Sequence, residues 1–225
     1  MVSGSSRPVT AAPKLGVVRL GELRTIDADE FAATDGDDLE AVEFIGESFE
    51  EVHWDGRRRL DASGVRELTI QRWRARASSF SDSRLSQLDV VALSAPESGW
   101  RDVVVANSRL GALELHQANL RRVAFTGCKL GYANLRDVDA ADVVFADCVI
   151  EDLDLMRAKA KRVSLSGCRI NRLELAHARL QDVDLRGATF EDISGVEGLR
   201  GVTISTDQLF DLAPILAGRL GLILG

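Results

Sequence analysis

The sequence predicts an all-β fold: a square coil that closes every twenty residues, runs for about seven to eight coils and ends in a short α-helical C-terminal cap. Three observations predict it. From Leu110 every fifth residue is apolar, through Leu115, Leu120 and Phe125 to Leu180, Leu185 and Phe190. Two residues before most of these lies a second small or apolar residue, among them Ala118, Val123, Cys128, Val143 and Ala178. The three cysteines of the chain, Cys128, Cys148 and Cys168, recur at intervals of twenty.

A period of five excludes the ordinary elements. On an α-helix each step of five turns about 500°, so the apolar positions would wind round every face. On a straight strand an odd step sends successive repeats to opposite sides. A backbone that turns a corner in each quintet keeps two side chains per repeat inward, and four corners close a coil of twenty. Residues twenty apart then stack at roughly 4.8 Å, the β-ladder spacing. The columns Val123, Val143, Val163, Val183 and Leu115, Leu135, Leu155, Leu175 have the composition such stacking requires.

The elements follow in chain order. Residues 1–18 open as "MVSGSSRPVTAAPKLGVV", rich in Ser, Pro, Ala and Gly, and read as a mobile N-terminal tail without the apolar core of a secretory signal. Residues 19–195 read as the coil. In its first part Leu39, Phe44, Phe49 and Trp54 keep the spacing of five but stand one residue out of phase with Leu60, so "DGRRR" (55–59) must hold an extra residue in a loop or bulge. From Leu60 to Val105 the register continues with bulky and small residues that compensate one another, as Trp100 does with Val105 and Phe80 with Val90 and Ala95. Residues 196–225 read as the cap. Ser205 and Gln208 have the form of a capping box, and Leu209, Leu212, Leu216 and Leu220 follow helical spacing. Pro214 is expected to kink or split that helix, with Asp211 capping the second piece.

The quintets "ANLRR" (118–122), "ANLRD" (133–137), "ARLQD" (178–182) and "VDLRG" (183–187) resemble the A-(D/N)-L-x-x repeats of the pentapeptide repeat family. That resemblance implies a right-handed quadrilateral β-helix, and in some members a C-terminal helix that also makes a homodimer. Leu209, Leu212, Leu216 and Leu220 are therefore the candidate cap and dimer residues, and the apolar Leu222, Ile223 and Leu224 need burial as well.

Site chemistry is sparse. Structural zinc wants four tetrahedral ligands, commonly in close Cys pairs, and three thiols in a line offer neither. An odd number of thiols in a reducing cytoplasm argues against a disulfide set. The cysteines read as small core residues. His53, His116 and His177 read as surface residues, and no nucleophile elbow, phosphate loop, dinucleotide fingerprint or zinc-protease motif is present. A filled convex rod offers no concave pocket for a catalytic pair. The expectation is a protein without enzymatic activity, cofactor or metal.

Charge is uneven. The net charge is −7, yet the twelve acids from Asp27 to Asp55 meet no Lys or Arg in that stretch, and eight Arg follow from Arg57 to Arg84. The acidic end supplies the candidate partner-binding residues Asp35, Asp37, Asp38, Glu40, Glu43, Glu47, Glu50 and Glu51. Arg72, Arg74 and Arg76 flank an inward Trp73, and pairing with the acidic coil explains them better than nucleic acid does. Only four of the 28 basic residues are lysines, a bias of GC-rich coding, so a bacterial cytoplasmic protein with no membrane span is expected. The leading reading is a binding scaffold with a protein partner. Quinolone-resistance members of the family look like B-form DNA and occupy the DNA saddle of gyrase, so the resemblance also implies a type II topoisomerase, gyrase or topoisomerase IV, as a specific partner. Near-neutral later coils and the Arg belt depart from that pattern.

Overall fold

The computed structural model describes residues 10–34, 38–54 and 58–223. Its strands run parallel and stack into sheets of thirteen and eight strands, giving about nine turns. That exceeds the seven to eight read from quintets because the outermost levels, Arg24–Thr25 and Val202–Thr203, lack the repeat pattern. Within the rod Val103, Val123, Val143, Val163 and Val183 lie in one ladder register, each twenty residues from the next. These valines are all buried, as are Leu115, Leu135, Leu155 and Leu175 in a neighbouring column.

The corners depend on a backbone conformation that the apolar pattern does not reveal. Asn107, Asp147, Gln117 and Asp137 adopt positive φ between 49° and 60°, and Gly127 and Gly167 continue the column of Asn107 and Asp147. Left-handed backbone costs most residues about 1 kcal/mol and is best tolerated by Gly, Asn and Asp. The signal was present in the sequence as the residue just before each cysteine. Two non-corner glycines have a different cause: a Cβ on Gly131 would sit 2.3 Å from the Gly111 carbonyl oxygen of the turn below.

The first turn is shifted relative to the rest. Phe49 pairs with Ile70 and Leu39 with Leu60, an offset of twenty-one, whereas Arg59 pairs with Ser79 and Ile70 with Val90 at twenty. The extra residue therefore lies between Trp54 and Arg59, as the phase change required. The expected loop itself falls mainly on residues 55–57, outside the described residues.

The N-terminal end is closed by a device that the sequence reading missed. Helix α1 (Ala28–Ala32), N-capped by Asp27, drives Phe31 into the open end of the coil. Phe31 stacks on Phe44 at 4.3 Å and meets Trp54 and Trp73 edge-on. Arg58, which falls in the 55–59 stretch expected to form a loop or bulge, is buried and donates to the carbonyls of Glu30, Phe31 and Ala33. A helix of five residues leaves its last carbonyls without intrahelical partners, and the guanidinium satisfies them.

At the other end α2 (Thr206–Arg219) seals the last turn, with the Ser205–Gln208 capping box formed. The expected split at Pro214 does not occur. Pro214 removes one helical hydrogen bond, but residues on both sides of it are held to the rod: Leu212 is buried, Ile215 and Leu216 pack on the core, and Arg219 Nε donates to the Ile193 carbonyl. The Gln208 amide donates to the Leu185 and Ala188 carbonyls, so it closes the exposed strand edge.

Residues 10–18, within the stretch expected as a mobile tail, lie against the outside of the rod. The Lys14 amide donates to Asp142 at 2.8 Å, the Ala11 amide to Asp182 at 3.3 Å, and Thr10 meets Thr203.

Candidate functional site

The acidic end divides into neutralised and free carboxylates. Glu43 pairs with Arg66, Glu51 with Arg72 and Arg74, and Asp38 with Arg59. Each arginine sits one level above its acid, as the ladder places residues about one coil apart. Among the described residues Glu40, Glu47 and Glu50 have no ion-pair partner; Asp35 and Asp37 lie outside the described residues. The free acids do not form one cluster, because Glu40 and Glu50 belong to different sheets of the first turn.

Further along, charge is cancelled between turns. Asp102 pairs with Arg122, Asp137 with Arg157, Asp142 with Arg162 and Asp152 with Arg172, in every case an acid below the arginine twenty residues on. The Arg157 hydrogen bonds hold the Asp137 carboxyl below its usual range, and those of Arg162 do the same for Asp142 against the opposing effect of burial. Arg136, which the five-residue pattern marks as an ordinary outward side chain, donates from Nε to Asp154 at 2.6 Å. The Asp154 side chain is only 5 % exposed, so Arg136 is the counter-ion of a buried carboxylate. Free bases remain on two faces: Lys159, Lys161 and Arg179 on one, Arg109, Lys129 and Arg169 on the other, none with an ion pair among the described residues. Lys159, Lys161, Arg179 and Arg200 surround a shallow open groove of about 720 Å³.

This stacked geometry agrees with the comparison with known families, in which residues 118–152 and 154–192 match the model for pentapeptide repeats in eight copies. The chain carries pentapeptide repeats. The match spans the most regular turns, whereas the aromatic first turns continue the same coil outside it. No curated protein matches the chain. Solved structures that match it include two of QnrB1, described as a plasmid-mediated fluoroquinolone resistance protein. A trypsin-treated form is 18% identical, covering 89% of this chain and 95% of that one with a TM-score of 0.28. The full-length form is 12% identical, covering 80% and 100% with a TM-score of 0.30.

The pentapeptide repeats place the cysteines without assigning them thiol chemistry. Cys128, Cys148 and Cys168 are free and buried in one column that runs from Leu68 and Leu88 through Ser108 to Ala188. Each thiol lies 3.4–3.5 Å from a carbonyl oxygen of the turn below, that of Val105, Phe125 or Phe145. A weak S–H donor fits here, because the Ser108 hydroxyl one turn below Cys128 makes the matching bond to the carbonyl two residues before it. The hydrogen bond with the neighbouring Cys148 thiol and burial both push the Cys128 thiol upward, away from a reactive thiolate. Among the described residues no group of three or more His, Cys, Asp or Glu is placed to hold a metal ion. No helix among them is long and apolar enough to cross a membrane.

The four leucines of the cap do not act alike. Leu212 is buried and Leu216 packs against the last turn, whereas Leu209 and Leu220 are exposed. Phe210 at 72 % exposure, Leu222 and Ile223 are exposed with them, so the cap carries five exposed large apolar side chains among the described residues. Leu224 lies outside the described residues. Sequence spacing could place all four leucines on a helix; it could not say which side the last turn would take.

Proposed function

We propose that this protein is a non-enzymatic binding scaffold that works through its ends. The carrying observation is what the two ends present: the first turn keeps the acids Glu40, Glu47 and Glu50 without counter-ions and the last helix keeps Leu209, Phe210 and Leu220 exposed, whereas the acids Asp102, Asp137, Asp142 and Asp152 on the flanks are paired between turns and free bases remain there. Apolar patches of this kind on a charged rod favour association. The reading assigns the apolar tip to a second copy of the chain, giving a dimer with an acidic first turn at each extremity, and assigns those acids to a protein partner. Sedimentation velocity should show a dimer that Phe210→Glu converts to monomer with unchanged circular dichroism. A monomer for the unaltered protein at tens of micromolar would overturn the pairing.

The more specific reading makes the partner a type II topoisomerase, with Glu40, Glu47 and Glu50 meeting a surface that otherwise binds phosphates. It rests on those acids having no counter-ion, and the free bases on two flanks confine it to end-on contact. Such contact should weaken steeply with salt. A supercoiling assay with purified gyrase, with and without a fluoroquinolone, is the test. Replacing Glu40, Glu47 and Glu50 with Gln should abolish inhibition or protection, while Glu43→Gln, an acid already paired, should not. No effect of the unaltered protein at micromolar concentration removes this reading and leaves the scaffold.

A further inference from the structure

One flank of the rod has a composition that its ladder position does not explain. The outward residues Gly64, Arg84, Val104, Ala124, Val144, Ser164, Asp184 and Thr203 form a single column, each paired with the next. Its middle is apolar where outward residues elsewhere are mostly polar. Ala124 is only 8 % exposed although it stands outside the core cluster, so it is covered from the solvent side.

The cover is the N-terminal segment, which crosses the whole column. Thr10 meets Thr203 at one end, and at the other Leu20 and Leu23 reach within 3.5 Å of where a Gly64 Cβ would lie. Between them Ala11 is anchored on Asp182 and Lys14 on Asp142, and Gly16 passes Asp102. Seven ladder steps come to about 34 Å, and residues 10–20, fully extended, span about the same distance. The segment therefore lies straight along the rod axis, about three residues for every two turns. The carboxylates that receive it are fixed in advance: Arg122 holds Asp102 through bonds of 2.6 and 2.5 Å, and Arg162 holds Asp142 through two of 2.6 Å.

The hold is light. Among the described residues the segment makes no β-ladder pairs before Arg24 and its two amide bonds go to side chains, while Leu15 and Val17 point to solvent, Val17 at 77 % exposure. Its C-terminal side is firmly rooted, because Arg24–Thr25 pairs with Val42–Glu43 and Ile26 is buried. Gly21, with no atom within 4 Å of its would-be Cβ, stands between the two regimes. Segments with few buried contacts open at free energies far below global unfolding.

We propose that this column is a peptide-binding lane, that residues 10–20 are its tethered occupant, and that an extended protein segment like it, with small residues where Ala11, Ala12 and Gly16 lie and backbone amides free to donate, binds there when the strap peels back from Gly21. Recognition would rest on amides presented to Asp142 and Asp182, on a residue without a side chain passing Asp102, and on small side chains over Val104, Ala124 and Val144. The lane is independent of both ends of the rod.

The probe is a labelled synthetic peptide of residues 8–21, measured by fluorescence anisotropy. A variant lacking residues 1–20 should bind it, and the full chain should bind it about 100-fold more weakly, because a tethered strap competes at millimolar effective concentration. Gly16→Val in the full chain tests the same point without shortening it. A Cβ there would lie 2.4 Å from an Asp102 oxygen that Arg122 immobilises, so the strap should be expelled and the affinity restored toward that of the truncated variant. Hydrogen exchange on the unaltered protein should find the amides of residues 11–18 exchanging at least about 100-fold faster than those of the strands beneath. No binding to either variant, equal binding to all three proteins, or strap amides as protected as the strands would each overturn the proposal. Strap exchange between two copies of the unaltered protein would appear as a concentration-dependent dimer that persists in Phe210→Glu and is lost on removal of residues 1–20, and would overturn the assignment to a foreign segment.

Discussion

Between Phe31 and Trp100 the interior is filled by aromatic rings, with Phe31 on Phe44 and Phe80 on Trp100 each stacked at 4.3 Å and Trp54 edge-on to Trp73 at 5.0 Å. From Leu110 onward the same coil is filled by Leu, Ile, Val, Ala and Cys, with Phe125 on Phe145 the sole aromatic contact there among the described residues. The ladder runs through both regions without a break in strand pairing. A coil of fixed cross-section thus demands a total volume per turn, and a few irregular rings meet it as well as many regular aliphatic side chains. The two fillings differ in how they fail. Aromatic turns concentrate contact in few residues, and aliphatic turns spread it, so substitutions should cost unequal amounts in the two regions.

The largest effect is expected at Trp54. It contacts Phe31, Trp73 and Phe80, and its Nε1 donates to the Phe31 carbonyl at 2.9 Å. Trp54→Ala should cost about 4–5 kcal/mol in urea unfolding, and Leu135→Ala in the aliphatic region about 2–4 kcal/mol. Equal or reversed losses would break the comparison.

Next comes Arg136→Ala, which strands the buried Asp154 carboxylate and should cost about 1–3 kcal/mol. Arg109→Ala, an outward arginine with no ion pair among the described residues, should stay within about 0.5 kcal/mol. Acid titration adds a related check at Asp142. Its folded pKa is lowered from the ordinary 3.8, so its contribution is complete above that value and disappears as pH falls through the lower one. Asp142→Asn should flatten the acid limb of the stability curve.

Smaller effects probe the regular turns. Cys128→Ala, Cys148→Ala and Cys168→Ala should each cost about 1 kcal/mol and preserve the fold, since Ala188 already occupies the same column. In the native protein the three thiols should resist alkylation that proceeds after denaturation; fast native labelling would contradict their burial. A small change of opposite sign is expected from Ala160→Val. Ala140 and Ala160 stand where Leu120 and Leu180 continue the column, leaving an apolar void of about 20 Å³. The added methyl groups should raise stability by about 0.5–1 kcal/mol.

The coil, its twenty-residue repeat, the inward residues and the phase change after Trp54 were legible in the sequence, because a period of five has one physical solution and every turn restates it. The capping box and the helix of the C-terminal end were legible for the same reason, being set by residues three and four apart. What required the tertiary structure was every contact made once and over long distance. Arg58 turns inward because α1 brings three unpaired carbonyls over the open end; Arg136 finds Asp154 eighteen residues on; Leu209 and Leu212 part company because the last turn touches one side of α2. The path of residues 10–20 was equally hidden, since a Ser-, Pro- and Gly-rich opening carries no period of its own, and its order comes from a flank assembled out of eight other turns. Periodic burial is written locally and repeatedly, so one chain suffices to read it, whereas a single hydrogen bond between distant segments leaves no pattern until the fold brings its partners together.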